Sequence, residues 1–398
     1  MSHLRPGTIA LTALLGVLTS LGPLSTDLYL PSLPAIAQHF AASSGHAQLT
    51  LSAYLLGYAI GLPLYGPLSD RRGRKSVLLF GLALYGVANA ISSLSPTLDV
   101  LILSRAIQGL GAAGPIVIAR AIVRDLYEGR RAGQELARMG SIMGIVPAIA
   151  PVLGAGLEEF FGWRANFICT ALLAGGLVFW AQTKLPETLR VRRTDPFGFK
   201  AVFGGFSDLI TDWRFLPFGL LAAATYAGLF AFISGSSFIY QHHFGQTTFG
   251  FAITFVLMVL GYIAGTFLSQ RLAMRVEGRR LILAGSLLQA AGGIAMLLLV
   301  FLFRTTPLAM TVPMMFYSCG VGFTLPQSMA GAMMPFPDRA GAASSLLGIM
   351  QIGFASIVGA LVGAHIDHGP LVLAATVALF GLCALAIYPM IRRPEASA

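Results

Sequence analysis

Twelve apolar runs, each long enough to cross roughly 30 Å of hydrocarbon as a helix of about 20 residues, set most of what this chain can fold into. They lie near 9–31, 47–67, 77–96, 99–121, 136–158, 165–184, 214–237, 249–271, 281–303, 307–330, 341–363 and 370–391. The 398 residues are 56% hydrophobic and 11% charged, whereas a soluble domain is roughly 25% charged. The expected fold is therefore all-α and integral to a membrane, with twelve transmembrane helices. The segment Ala35-Ile36-Ala37 resembles a signal-peptidase site behind Arg5. The first run is longer than a signal h-region, and its loss would leave eleven spans, so it is read as a span.

A net charge of +10 raises the question of nucleic acid, and its distribution answers it. Arginine and lysine gather in alternate connections: Arg5; Arg71, Arg72, Arg74 and Lys75; Arg120, Arg124, Arg130, Arg131 and Arg138; Lys184 to Arg214; Arg271, Arg275, Arg279 and Arg280; Arg339; Arg392 and Arg393. The opposite connections hold only Arg164 and Arg304. This bias is the positive-inside pattern, and it places both termini in the cytoplasm. Cys169, Cys319 and Cys383 fall within apolar runs and form neither a disulfide frame nor a metal site. His242-His243 and His365-Ile-Asp-His368 lie in short outer loops and are read as solvated surface, so no metal is expected.

The longest polar connection, residues 185–213, carries Arg190, Arg192, Arg193, Asp195, Lys200, Asp208 and Asp212, and six runs lie on either side. The chain is thus expected to divide into an N-terminal six-helix half (1–184), a cytoplasmic linker (185–213) and a C-terminal half (214–398). Parallel halves leave internal echoes. Gly61, Leu68, Ser69 and Arg71 recur 200 residues later as Gly261, Leu268, Ser269 and Arg271, although Asp70 becomes Gln270.

The stretch Gly66-Pro-Leu-Ser-Asp-Arg-Arg-Gly-Arg-Lys75 joins the second and third runs. Its cations stay hydrated on the positive side, and Gly73 permits a tight turn. Topology alone does not require Asp70. The Gly-Lys-Ser ending of a phosphate-binding loop is interrupted, so no nucleotide cradle is read here. In the fifth run Gly144, Pro147, Pro151 and Gly154 fall within about 80° of one helix face. Small residues and prolines there allow close approach and bending.

These residues resemble the major facilitator superfamily. The 66–75 stretch matches its signature G-x-L-x-D-R-x-G-R-[RK]. Arg105-Ala-Ile-Gln-Gly109 and Gly144-Ile-Val-Pro-Ala-Ile-Ala-Pro-Val-Leu-Gly-Ala-Gly156 look like motifs of its twelve-span drug:proton antiporters. Asp27-Leu-Tyr-Leu-Pro-Ser-Leu-Pro34, Phe230-Ala-Phe-Ile-Ser-Gly-Ser-Ser-Phe238 and Ala340-Gly-Ala-Ala-Ser-Ser-Leu-Leu-Gly-Ile-Met-Gln351 are similar to the bicyclomycin-resistance (Bcr/CflA) branch.

The resemblance implies that Gly66, Asp70, Arg71, Gly73 and Arg74 form a cytoplasmic latch. Asp70 would meet the N-terminal end of span eleven, and Arg74 an acid at the end of span four, with Asp125 the candidate. It implies that the fifth-run face packs on span eight, where Gly261, Gly265 and Ser269 form a small-residue row. It makes Asp27 the proton-exchange carboxylate and Arg105 a residue that lines the cavity and influences that carboxylate's proton affinity. A charge inside a span is costly and marks function. Asp27 lies about 27 Å along the helix from the estimated start of its span, with Pro31 and Pro34 suggesting a kinked continuation. Thr19 stands where some relatives carry a second acid.

Tyr29, Tyr54, Tyr58, Gln108, Phe230, Phe232, Ser234, Phe238, Tyr240, Gln327 and Gln351 are candidate cavity contacts, a mostly apolar set with a few orienting polar groups. The expected protein is not an enzyme. It exports small amphipathic compounds, antibiotics among them, across a bacterial inner membrane in exchange for protons. It has no cofactor, no nucleic-acid partner and a monomeric state. A metabolite symporter of the same fold, with a more polar cavity, and a transport-inactive sensor or scaffold remain the alternatives.

Overall fold

The computed structural model describes residues 6–194, 198 and 203–391. Arg5, Asp195, Lys200, Arg392 and Arg393, used above, lie outside the described residues. The spans are Ile9–His39, Ser44–Arg72, Arg74–Ser93, Leu98–Leu126, Gly129–Phe161, Arg164–Lys184, Leu216–His243, Thr248–Leu272, Gly278–Leu302, Leu308–Met333, Ala340–His368 and Pro370–Met390, called spans one to twelve below. Thr8, Thr97 and Thr247 cap spans one, four and eight, each hydroxyl accepting an orphan backbone N–H of the first turn.

Several helices outrun their apolar segments. Span five has 33 residues, about 50 Å at 1.5 Å each, and its first turns carry Arg130, Arg131 and Arg138. Hydropathy marks where lipid ends. The backbone ladder has no reason to stop there. The 66–75 stretch is likewise helix rather than loop: span two continues through Arg72 and span three begins at Arg74. Gly73 alone makes the break, at φ 98°, a conformation that side-chain-bearing residues rarely adopt.

The chain forms two compact units, residues 1–43 with 49–204, and residues 44–48 with 205–398. In each, the second helix of the set lies against the fourth through small residues. A side chain at Gly57 would strike the Ala106 carbonyl, and one at Gly109 the Tyr54 carbonyl. In the second unit Gly261 and Gly265 lie on the backbones of Met315 and Cys319 in span ten. The 200-residue echo at Gly61 and Gly261 thus reflects the same packing made twice. Lipid supplies no hydrophobic force between helices, so close van der Waals approach does this work.

The small-residue row on span eight therefore has a partner within its own unit. Gly261 and Gly265 are used against span ten. In span five, Pro151 and Gly154 are buried, whereas Gly144 and Pro147 are half-buried. Gly154 sits on the Leu28 carbonyl and Gly144 has open space beside it.

Candidate functional site

Two turns into span four, Arg105 is 0% exposed. Its Nη1 donates to Gln108 Oε1 at 2.6 Å and to the Ser25 carbonyl at 3.2 Å. Its guanidinium lies 4.4 Å from the Tyr54 ring centre, 4.7 Å from Tyr29 and 5.8 Å from Phe167, so aromatic faces stabilise a cation that has left water. Gln108, three residues on and on the same helix face, donates Nε2 to Asn89 Oδ1 of span three at 2.8 Å. Thr170 of span six donates to the same oxygen at 2.6 Å. Asn89 Nδ2 donates to the Tyr85 carbonyl at 2.8 Å, and the Tyr85 hydroxyl lies 2.7 Å from Ser25 Oγ. Ser25 already donates to the Leu21 carbonyl, so Tyr85 is the donor in that pair.

The network ties spans one, three, four and six together and ends on an unsatisfied charge. Arg105 Nε and Nη2 are buried without an acceptor, and no ion pair joins Arg105 to a carboxylate among the described residues. An unpaired buried cation is expensive. Asn89, Thr170, Ser25 and Tyr85 were missed in the sequence; a lone amide within the third apolar run, Asn89, was the available signal.

Asp27 ends the first helix of span one, before the turn Leu30–Ser32 and the continuation Leu33–His39. It is 5% exposed and accepts from Thr26 Oγ1 at 3.0 Å. Arg105 and Asp27 form no ion pair: the arginine instead meets the backbone of Ser25. Positions 25 and 27 are about 200° apart around a helix, so the face that meets span three at Ser25 turns Asp27 elsewhere. Any influence of Arg105 on Asp27 therefore acts without direct contact. Tyr29 pairs with Thr50 at 2.8 Å, the Tyr54 hydroxyl donates to the Gly22 carbonyl at 3.1 Å, and Tyr58 lies beside Tyr54. Thr19 spends its hydroxyl on the Gly16 carbonyl.

In the second unit, Phe230, Phe232, Ser234, Phe238 and Tyr240 are all buried. Phe232 and Tyr240 belong to an aromatic cluster continued by Phe244, Phe251 and Phe255. Ser234 donates to the Ala231 carbonyl of its own helix, and Tyr240 pairs with Thr311 at 2.8 Å. Gln327 is half-buried near Gly278, where span nine begins. Tyr240 and Gln351 stand on π-helical turns, Ile239–His243 and Ile349–Gly353, features that concentrate at functional sites and carry no sequence signature here. Gln351 Nε2 is buried without a partner, a donor left for something else.

At the 66–75 stretch, Arg74 Nη1 donates to Asp70 at 2.5 Å and to Ser69 at 2.7 Å, and its Nε donates to Asp125 at 2.9 Å. Thr188 also donates to Asp125, at 3.1 Å. The Gly66 carbonyl accepts from Ser69, and Arg71 donates to the Pro67 carbonyl. Glu187, absent from the sequence reading, receives the backbone N–H groups of Arg74 and Lys75 at 2.9 and 3.3 Å. Its carboxylate meets the N-terminus of span three, where the helix dipole favours an anion.

Among the described residues, twelve helical spans in two units, with charged and amide side chains bonded inside the first, define a multi-pass membrane transport protein of the all-helical kind. The family model described as Major Facilitator Superfamily matches residues 15–360, and this chain belongs to that superfamily. It is 32% identical over 357 residues to the uncharacterized MFS-type transporter YdgK of Bacillus subtilis, covering 89% of each chain. It is 28% identical over 352 residues to a bicyclomycin resistance protein homolog of Haemophilus influenzae, covering 87% of each. The crystal structure of the human organic anion transporter MFSD10 (TETRAN) superposes with a TM-score of 0.72 at 18% identity, over 97% of this chain and 100% of that one, a likeness of fold.

Proposed function

We propose that this protein exports small amphipathic compounds, antibiotics among them, across a bacterial inner membrane in exchange for protons, with both termini in the cytoplasm. The observation that carries the reading is Asp27. Of the two carboxylic acids buried among the described residues, Glu135 has Arg138, whereas Asp27 has one hydroxyl donor and no cation. An ionised carboxylate held that way in a span is costly. Protonation removes the cost, and a group so poised exchanges a proton for cargo. The name of the Haemophilus influenzae relative supports an antibiotic as cargo.

Arg105 keeps a permanent positive charge among aromatic rings, and its bonds to Gln108 and the Ser25 carbonyl hold the helices of the first unit in register. Gln351 offers its free N–H group to cargo. The proton gradient supplies the energy, with no cofactor, and the working unit is a monomer. Arg74, Asp70 and Asp125 close the cytoplasmic end of the first unit.

The test is a resistance panel that includes bicyclomycin, in a pump-deficient host with and without a protonophore, together with proton release from purified protein on drug addition. Raised resistance abolished by the protonophore, with proton release lost in Asp27→Asn, is the expected result. Drug extrusion that survives complete collapse of the gradient overturns antiport, and gradient-driven accumulation of the same compound assigns uptake instead.

A further inference from the structure

A cavity of about 820 Å³ opens in the first unit, where spans four and six end and spans one and five begin. That volume suits a drug-sized ligand, and of its lining residues the proposed transport cycle uses only Asp125. Its lining includes Arg124, Arg131, Arg138 and Arg190. Arg131 and Arg138, seven residues apart, share one face of span five, and Arg190 approaches from the segment after span six.

Of the three lining carboxylates, two are occupied. Asp125 is held by Arg74 and Thr188, and Glu135 by Arg138 and Thr12. Glu128 shares the lining with Arg124, Arg131 and Arg190, and those three join no ion pair among the described residues. Positive-inside topology explains why arginines occur at these helix ends. It does not explain a concave wall on which three of them converge.

We propose that this cavity binds the phosphodiester headgroup of an anionic phospholipid. Basic pockets between helices at the membrane surface take such headgroups, and the cavity lies where four spans end, on the side that the arginine bias marks as cytoplasmic. Leu126, Leu189 and Val191 also line it. Their apolar surface matches the glycerol and first methylenes of a lipid and offers nothing to a free phosphate ion. Asp125 belongs to both this wall and the Arg74 cluster, so an anion in the cavity favours Asp125 in its Arg74-paired, neutralised arrangement.

The experiment is calorimetric titration of the full chain in neutral detergent. The probes are dihexanoyl phosphatidylglycerol, dihexanoyl phosphatidylcholine and inorganic phosphate, each added separately. Saturable binding of the glycerol lipid is expected, with no saturation by the choline lipid and at least about tenfold weaker binding of phosphate. Each arginine removed should weaken binding about fivefold. The triple variant Arg124→Gln, Arg131→Gln, Arg190→Gln should therefore lose about a hundredfold, and Arg131→Gln alone, at an exposed position, should show its share if the triple variant fails to fold. The charge-matched variant Arg271→Gln, Arg275→Gln, Arg280→Gln in the second unit should bind as the parent does. Parent-like binding by the cavity variants, or equal loss in the charge-matched one, overturns the site. Phosphate binding as tight as the lipid overturns the lipid assignment.

Discussion

Replacing Asp27 by asparagine should strengthen the fold while abolishing coupled transport. The ionised carboxylate is 5% exposed, and burial costs an ion several kcal/mol even after relaxation. Set against that cost is one hydrogen bond from Thr26, worth about 1.5–3 kcal/mol to a charged acceptor. Asparagine matches the size, keeps an acceptor for Thr26 at about 1 kcal/mol and removes the ion. The difference is a net stabilisation of about 1–3 kcal/mol, which corresponds to a rise of a few degrees in melting temperature. The assay pairs thermal unfolding in detergent at alkaline pH, where a carboxylate is ionised, with drug-induced proton release from the same preparation. A variant that melts higher and releases no protons has lost a site where function outweighs stability. Unchanged proton release with drug pumping intact would place coupling at another group and refute the reasoning about the unpaired carboxylate. A lower melting temperature would show that Asp27 has a stabilising partner.

Three further outcomes follow from the packing and the charges. Arg74→Gln and Asp125→Asn should be non-additive in denaturation, with a coupling energy of about 1–3 kcal/mol, because the pair is direct and its side chains are only 9% and 18% exposed; additivity would reduce it to a surface charge pair. Gly109→Val drives a branched side chain into the Tyr54 carbonyl and should cost about 1–3 kcal/mol or prevent accumulation, whereas Gly140→Ala in span five, with open space beside it, should be neutral or slightly stabilising in a melting assay. Arg105→Lys should lower transport of drug at normal membrane levels, since a single ammonium does not reproduce a planar group that stacks on Tyr29 and Tyr54 while donating to Gln108; full activity in vesicles would show that charge alone suffices.

The twelve spans were legible in the sequence because apolar length answers to the surrounding lipid, a demand that each segment meets largely by itself. Gly73 was legible for a similar reason: one positive φ is a local requirement that glycine satisfies. The helix ends were less so, since span five runs on as helix through Arg130, Arg131 and Arg138, where hydropathy falls and the hydrogen-bond ladder does not. Arg105 was conspicuous as a charge in an apolar run, and Asp27 likewise. Their surroundings were not. Asn89, Thr170 and Ser25 lie on three different helices, and only the folded bundle brings two of them to Gln108 and Tyr85 and sets Arg105 beside the Ser25 carbonyl, in no ion pair among the described residues. Glu187, 113 residues from Arg74, caps span three because the chain returns to it after span six. The glycine rows announced close packing without naming the neighbour, and within the second unit span ten received Gly261 and Gly265. Solvent preference and backbone freedom are written residue by residue, so the amino-acid order alone determines spans and breaks. Partners are chosen by which surfaces meet across long separations, and that choice belongs to the tertiary structure.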